Sequence, residues 1–214
     1  MASPSLVLLG GALSIVSGVV ALAVSYAAYR LLKVGDVSVL TYISLSFMLL
    51  GVGLVLQGVL GVLFGLRLGN LYEDARAAFL IGVLYLAVQN VAYLILVLGY
   101  ARYAYYAPAA AIILTPSELS RLYLLGHLFF DLSQLLSIFL LMILVFEAML
   151  VSSRSGGSFS KLVLVAFIVL LASHAAMLYA SMVRVPFYYI MGELVQFTSF
   201  ALLLAFLLGW YRVE

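Results

Sequence analysis

The 214-residue sequence contains no cysteine. This absence excludes disulfide bonds, thiolate-held zinc or iron–sulfur clusters, and cysteine nucleophiles. Strong site chemistry must therefore come from histidine, aspartate, glutamate or tyrosine side chains.

Charged residues are also scarce, at 8% of the sequence, whereas hydrophobic residues make up 67% and the mean hydropathy is +1.29. A soluble globular domain carries about three times this charged fraction. The composition therefore predicts an integral, multi-pass protein of the cell membrane, in contact with the lipid bilayer. The 10 basic and 8 acidic residues are scattered without forming a basic patch, so nucleic acid is not an expected partner.

Proline is limited to four residues, none of which lies inside a long apolar segment. Six apolar segments each exceed the ~20 residues needed to span a bilayer, and the first is too long for a signal-peptide core, so we interpret it as a retained span. The sequence predicts an all-α, polytopic transmembrane helix bundle of about six spans, with residues 1–214 as a single domain and both termini on the same side. The predicted helices are Ser5–Leu32, Ser38–Leu66, Ala75–Tyr100, Pro116–Val151, Phe159–Arg184 and Pro186–Trp210.

Small residues recur at four-residue spacing in the first two segments, as at Gly10, Ser14 and Gly18 and again at Gly61 and Gly65. This spacing is typical of closely packed transmembrane helices. Packing is also our interpretation of a weakly polar stripe on the second segment, formed by Tyr42, Ser46, Gly53 and Gln57.

The third segment carries polar residues at mid-depth. Tyr85, Gln89 and Tyr93 share one face, with Asn90 beside them. Buried amides in hydrocarbon need hydrogen-bond partners. The pattern leaves two interpretations open: the amides hold helices together, or they support a site.

The fourth segment opens with a predicted capping box at Thr115-Pro116-Ser117-Glu118 and then carries a polar face. Tyr123, His127, Asp131 and Gln134 lie on that face, at spacings of three and four residues. An ionisable residue inside a membrane span is costly and indicates a functional site.

Two further ionisable residues, His174 and Glu193, lie in the fifth and sixth segments. If the last three helices alternate in direction, a rise of 1.5 Å per residue places them in one layer with His127 and Asp131. Glu147 falls at the opposite interface and is expected to be an ordinary surface residue.

Three chemistries suit this layer. In the first, His127 and His174 are axial ligands of haem b, with Arg121 and Arg184, and also Arg102, near its propionates. In the second, the four ionisable residues His127, Asp131, His174 and Glu193 bind a divalent metal, zinc or iron, for transport or intramembrane hydrolysis. In the third, the groups form a proton or ion relay without a cofactor.

We expect a buried cofactor or metal site, as in a redox membrane subunit. The alternative is a transporter, a channel or a structural subunit that uses the charged cluster as a relay. Helices unbroken by proline weigh against a transporter of the broken-helix type. The sequence assigns no catalytic residue and leaves enzymatic activity open, and the expected partners are further copies of the chain or other membrane subunits.

Overall fold

The protein is described by a computed structural model over residues 4–33, 38–66, 71–105, 126–155, 158–183 and 185–211. Within these ranges the side chains at 4, 64, 71–81, 103–105, 126–128, 155, 158, 159, 186, 210 and 211 are not described. The described residues form six α-helices and no strand. They are α1 Pro4–Leu32, α2 Ser38–Leu66, α3 Leu71–Tyr105, α4 Gly126–Ser155, α5 Ser158–Val183 and α6 Pro186–Tyr211.

Every one of the six helices contains a stretch long and apolar enough to cross a membrane. In lipid the backbone polar groups must be satisfied within the chain, and an α-helix achieves this. The predicted all-α class with six spans is confirmed, and the chain is a multi-pass membrane protein.

Helix boundaries differ from the prediction where polar residues continue a helix. α3 begins at Leu71, inside a stretch expected to be a loop, and α4 continues through Ser155. Ser153 supports that last turn by donating a hydrogen bond to the carbonyl oxygen of Leu150 at 2.8 Å. The predicted capping box at residues 115–118 lies outside the described residues.

The helices form a closed ring, because each packs against its neighbours in the chain and α6 packs against α1. Glycine lets α1 and α2 approach closely. A Cβ atom at Gly18 would lie 2.9 Å from the carbonyl oxygen of Gly51, and one at Gly11 would lie 2.9 Å from that of Gly58. Of the small residues singled out in the sequence, Gly18, Gly61 and Gly65 lie at this interface, whereas Gly10 and Ser14 lie beside Glu193 of α6.

Most neighbouring helices run in opposite directions. In α1 and α2, Gly11 lies against Gly58 whereas Ser25 bonds to Ser44, so residue numbers rise along one helix and fall along the other. The pairs α2–α3, α4–α5 and α5–α6 show the same relationship.

By contrast, α1 and α6 run in the same direction. Ser14 bonds to Glu193 in the first half of each helix, and Ala27 shares a cavity wall with Leu204 in the second half. α1 and α3 both run opposite to α2, and α4 and α6 both run opposite to α5. Because α1 and α6 are parallel, α3 and α4 are parallel as well. The chain termini lie outside the described residues, so their sidedness stays a prediction.

These directions divide the ring into two similar units, a first unit of α1–α3 and a second unit of α4–α6. Buried positions of α1 and α2 recur about 120 positions later in α4 and α5, and those of α3 recur about 107 positions later in α6. The matching buried pairs are Ser17 and Ser137, Ala28 and Ala148, Phe47 and Phe167, and Gln89 and Gln196. The fold is therefore a parallel repeat of two three-helix units.

Aromatic side chains fill the interior between the two units. Phe47 packs edge-to-face on Phe200, with ring centroids 5.4 Å apart, and Tyr100 packs in the same way on Phe167 at 5.5 Å. This geometry is the favoured one for aromatic pairs. These four residues form what we term the aromatic plug, and each pair joins the first unit to the second.

Candidate functional site

His174 is fully buried and uses both of its ring nitrogens. Nδ1 lies 2.7 Å from Oε1 of Gln134, and Nε2 lies 2.6 Å from the hydroxyl of Tyr93. A carbonyl oxygen can only accept, so Nδ1 donates to Gln134 and Nε2 accepts from Tyr93. In this arrangement His174 has no free nitrogen to bind iron or another metal.

Gln134 meets His174 across the α4–α5 interface. His127 lies seven residues before Gln134, which is ~10 Å along the helix axis. The side chain of His127 is outside the described set, as are Arg121 and Arg184. Their roles as haem ligands or propionate partners stay predictions.

Asp131 is half-buried one turn before Gln134. Its Oδ1 accepts a hydrogen bond from Ser181 of α5 at 2.5 Å. The contact ties α4 to α5 near the ends where α4 begins and α5 ends.

Glu193 contacts the first unit. Its side chain is 7% exposed, and Oε1 accepts a hydrogen bond from Ser14 of α1 at 3.2 Å. Its second oxygen, Oε2, is buried and has no hydrogen-bond partner. A Cβ atom at Gly10 would lie 3.5 Å from Oε2, so a glycine borders this free oxygen.

The predicted metal ligands are held apart by these partners. Asp131 bonds to Ser181, His174 to Gln134 and Tyr93, and Glu193 to Ser14. Within the part of the chain that the structure describes, no three histidine, aspartate or glutamate side chains converge as metal ligands would.

A pocket of about 340 Å³ lies between α1, α2 and α6. We term it the α1–α2–α6 pocket. It lies in the first turns of α1 and α6 and the last turns of α2, and both Glu193 and Gln57 line it. Glu193 Oε2 and Gln57 Oε1 are buried there without a partner.

Polar side chains of both units lie between Glu193 and His174, although Nε2 of Gln196 is buried there without a hydrogen-bond partner. Tyr85 lies beside Glu193 and Gln196, and Gln196 also lies beside Tyr93, which bonds to His174. Tyr85 and Tyr93 are both buried. We term this the polar network, and its members are Glu193, Tyr85, Gln196, Tyr93, His174 and Gln134.

Gln89 and Asn90 join α3 to α4 instead. The amide of Gln89 donates to Ser137 at 3.1 Å, and the amide of Asn90 donates to Ser133 at 2.7 Å. Ser137 in turn donates to the side-chain oxygen Oδ1 of Asn90 at 2.9 Å. Of the two interpretations left open by the sequence, the structure supports interhelical hydrogen bonding.

Glu147 was expected to be an ordinary surface residue, and this expectation is wrong. Its side chain is only 3% exposed, and its Oε2 is buried without a partner. Glu147 lies on the same helical face as the buried Leu140 and Leu144. This spacing was visible in the sequence. Glu147 follows Leu144 by three residues and Leu140 by seven, so it faces the core if they do.

The geometry is the basis for any functional conclusion, because the sequence has no recognised relative to supply one. No protein family, curated protein or solved structure matches the chain.

Proposed function

We propose that this protein is a membrane carrier that binds a proton at Glu193 and moves it across the bilayer. The observation that carries the proposal is the buried, unpartnered Oε2 of Glu193 beside an open pocket. A buried carboxylate oxygen without a donor or a cation is costly. Uptake of a proton removes that cost, so the site is suited to reversible protonation.

The polar network supports proton movement away from Glu193. Tyrosine hydroxyls both donate and accept hydrogen bonds, and imidazole can do so through its two nitrogens. Tyr85 and Tyr93 come from the first unit, whereas Gln196 and His174 come from the second. Any change in the relative position of the units would therefore make or break links in the network.

Access to Glu193 differs between the two ends of the bundle. The α1–α2–α6 pocket borders Glu193 in the half of the bundle where α1 begins. Along α6, Gln196 follows Glu193 by ~4.5 Å and Phe200 of the aromatic plug follows by ~10 Å. This geometry supports a carrier conformation that is open at one end and closed by the plug at the other.

The parallel repeat supplies an element that could change conformation. Carriers built from parallel repeats bind their cargo between the repeats and move one repeat against the other. Here the Ser14–Glu193 and Tyr93–His174 bonds join the two units. Rocking of whole units needs no break inside a helix, so the unbroken helices are compatible with this mechanism.

A site for haem b or for zinc or iron is a second proposal with less support. It rests on the fact that histidine is a common ligand of haem iron and of zinc. It also requires His174 to break its hydrogen bond to Tyr93 or to Gln134. An absorbance spectrum before and after dithionite reduction, with elemental analysis of the same sample, tests it. A reduced α-band or stoichiometric metal would support this proposal, and their absence after reconstitution would remove it.

Location in the cell membrane, and assembly with further copies or other membrane subunits, also remain proposals. They rest on the apolar surface of the helices, which contains many exposed large hydrophobic side chains. A surface of this kind suits lipid as well as a neighbouring membrane protein.

Proton flux into proteoliposomes with an entrapped pH-sensitive dye tests the carrier proposal. Glu193→Gln should lower the flux at least tenfold, because the amide cannot exchange a proton. Glu147→Gln is the matched control, since it changes another buried carboxyl with an unpartnered oxygen, and should retain the flux. Unfolding temperatures of both variants establish that they are folded.

Either of two results would overturn the carrier proposal. One is wild-type flux no greater than that of empty liposomes under a pH gradient of either sign, with a membrane potential imposed. The other is full flux in a folded Glu193→Gln variant.

A further inference from the structure

Two acceptor oxygens in the α1–α2–α6 pocket lack a hydrogen-bond partner. They are Glu193 Oε2 and Gln57 Oε1. Ser14 already donates to the other oxygen of Glu193. A ligand that completes the pocket must therefore bring N–H or O–H donors, and a positive charge would complement the carboxylate.

The remaining lining is aliphatic except for Tyr189, whose side chain lies beside Gln57 and Glu193. Leu6, Val7 and Ile190 contribute aliphatic surface, and Gly10 and Gly61 leave space where other residues would place side chains. Small-molecule sites commonly combine such an apolar lining with a few polar groups that fix orientation. The lining predicts a ligand with a charged head and a short apolar tail.

An alkaline-earth ion is a poorer match for this pocket. Calcium takes six to eight oxygen ligands, and magnesium requires a near-octahedral set. The pocket offers two free side-chain oxygens, from Glu193 and Gln57. An ammonium group has three donors on one nitrogen and can satisfy both oxygens at once.

The second unit carries side chains at the positions related to the glycines of this pocket. The positions related to Gly10, Gly11 and Gly61 of the first unit are Phe130, Asp131 and Ser181 of the second. There, Asp131 bonds to Ser181 and the ring of Phe130 packs against Tyr189 at 6.1 Å. Asp131 and Ser181 thus bond to each other at positions where the first unit has Gly11 and Gly61.

We propose that the α1–α2–α6 pocket binds the ammonium group of a primary amine, which donates to Glu193 Oε2 and Gln57 Oε1 while its alkyl part lies against Leu6, Val7 and Ile190. This inference rests on the proposed function, because it makes the proton-binding carboxyl of Glu193 the ligand's counter-charge. Proton and ammonium would then compete for one carboxylate. The ammonium belongs either to a free amine or to an ethanolamine lipid headgroup.

The thermal unfolding midpoint of the detergent-purified protein, titrated with butylamine, tests the inference. The wild type should show a saturable rise that butanol and tetramethylammonium do not produce, since the first lacks charge and the second lacks N–H donors. Glu193→Gln should abolish the rise, and Gln57→Leu should weaken binding about tenfold, or about 1.4 kcal/mol. Glu147→Gln should bind like the wild type.

The same titration in nanodiscs distinguishes the two sources of the ammonium group. With phosphatidylcholine alone, butylamine should bind as in detergent. If phosphatidylethanolamine raises the unfolding midpoint and suppresses the butylamine effect, and neither occurs in Glu193→Gln, the lipid headgroup is the source. If phosphatidylethanolamine changes neither, the free amine is the source.

The inference is overturned if butylamine has no saturable effect on the wild type, if tetramethylammonium acts equally well, or if folded Glu193→Gln responds like the wild type. The flux assay separates this failure from that of the carrier proposal. Glu193-dependent flux without butylamine binding would contradict only the amine-binding inference. Butylamine binding without flux would contradict only the proposal of proton transport.

Discussion

The hydroxyl of Tyr93 lies 2.6 Å from Nε2 of His174, and this contact joins the two three-helix units in the interior of the bundle. Both residues are fully buried. The rings meet nearly at right angles, with centroids 5.3 Å apart. The same contact keeps Nε2 occupied, so it bears both on the stability of the repeat interface and on the chemistry available to His174.

Tyr93→Phe should therefore destabilise the protein. The variant keeps the ring but leaves Nε2 of His174 buried without a donor, a loss worth about 1–3 kcal/mol. Chemical denaturation in detergent measures the change in the free energy of unfolding. Tyr179→Phe is the control, because Tyr179 is 55% exposed and its variant should differ by less than about 0.5 kcal/mol. Equal stability of the two variants would show that the buried contact contributes nothing.

The class of the fold could be predicted from sequence because lipid imposes simple rules. Apolar segments longer than a bilayer is thick must be helices, and the bounds of α2 agree with the prediction at both ends. Helix starts that are rich in polar residues were harder to predict. The composition of Leu71–Arg76 is typical of a loop, but these residues form the first turns of α3. The alternation assumed for the last three helices is found in the structure. The parallel direction of α3 and α4 was not predictable, because it depends on the connection between them rather than on the helices themselves.

Site residues could be identified by type but not by partner. His174 and Glu193 were identified because ionisable residues in apolar helices are costly. Their contacts to Tyr93 and Ser14 depend on which helices lie side by side in the ring, and spacing within one helix cannot reveal that. Gln57 was interpreted as packing, since its unpartnered oxygen becomes informative only beside Glu193.

The glycines should differ sharply in their tolerance of alanine. Gly18→Ala should be strongly destabilising, since its Cβ would lie 2.8 Å from the backbone nitrogen of Val55 and force α1 from α2. A Cβ at Gly209 meets nothing within 4 Å, so Gly209→Ala should stabilise α6 by about 0.5–1 kcal/mol through helix propensity. Unfolding midpoints measure both changes. A tolerated Gly18→Ala would contradict the close approach of α1 and α2.

Cross-linking tests the parallel direction of α1 and α6, on which the repeat depends. The cysteine-free chain permits paired substitutions without background. A short, membrane-permeable bis-maleimide should join the pair Ala27→Cys and Leu204→Cys, because both positions line one cavity. The pair Ala27→Cys and Ile190→Cys should not react, since Ile190 lines the pocket near the start of α1.

Mass spectrometry of the digested protein identifies the linked peptides, and each single variant controls for links between different molecules. The opposite pattern, with a link from position 27 to position 190 only, would mean that α1 and α6 are antiparallel. In that case Ser14 and Glu193 could not share a depth in the bundle. The repeat, the pocket between α1, α2 and α6, and the access route to Glu193 would all fail together, so this measurement bears on every functional argument made from the fold.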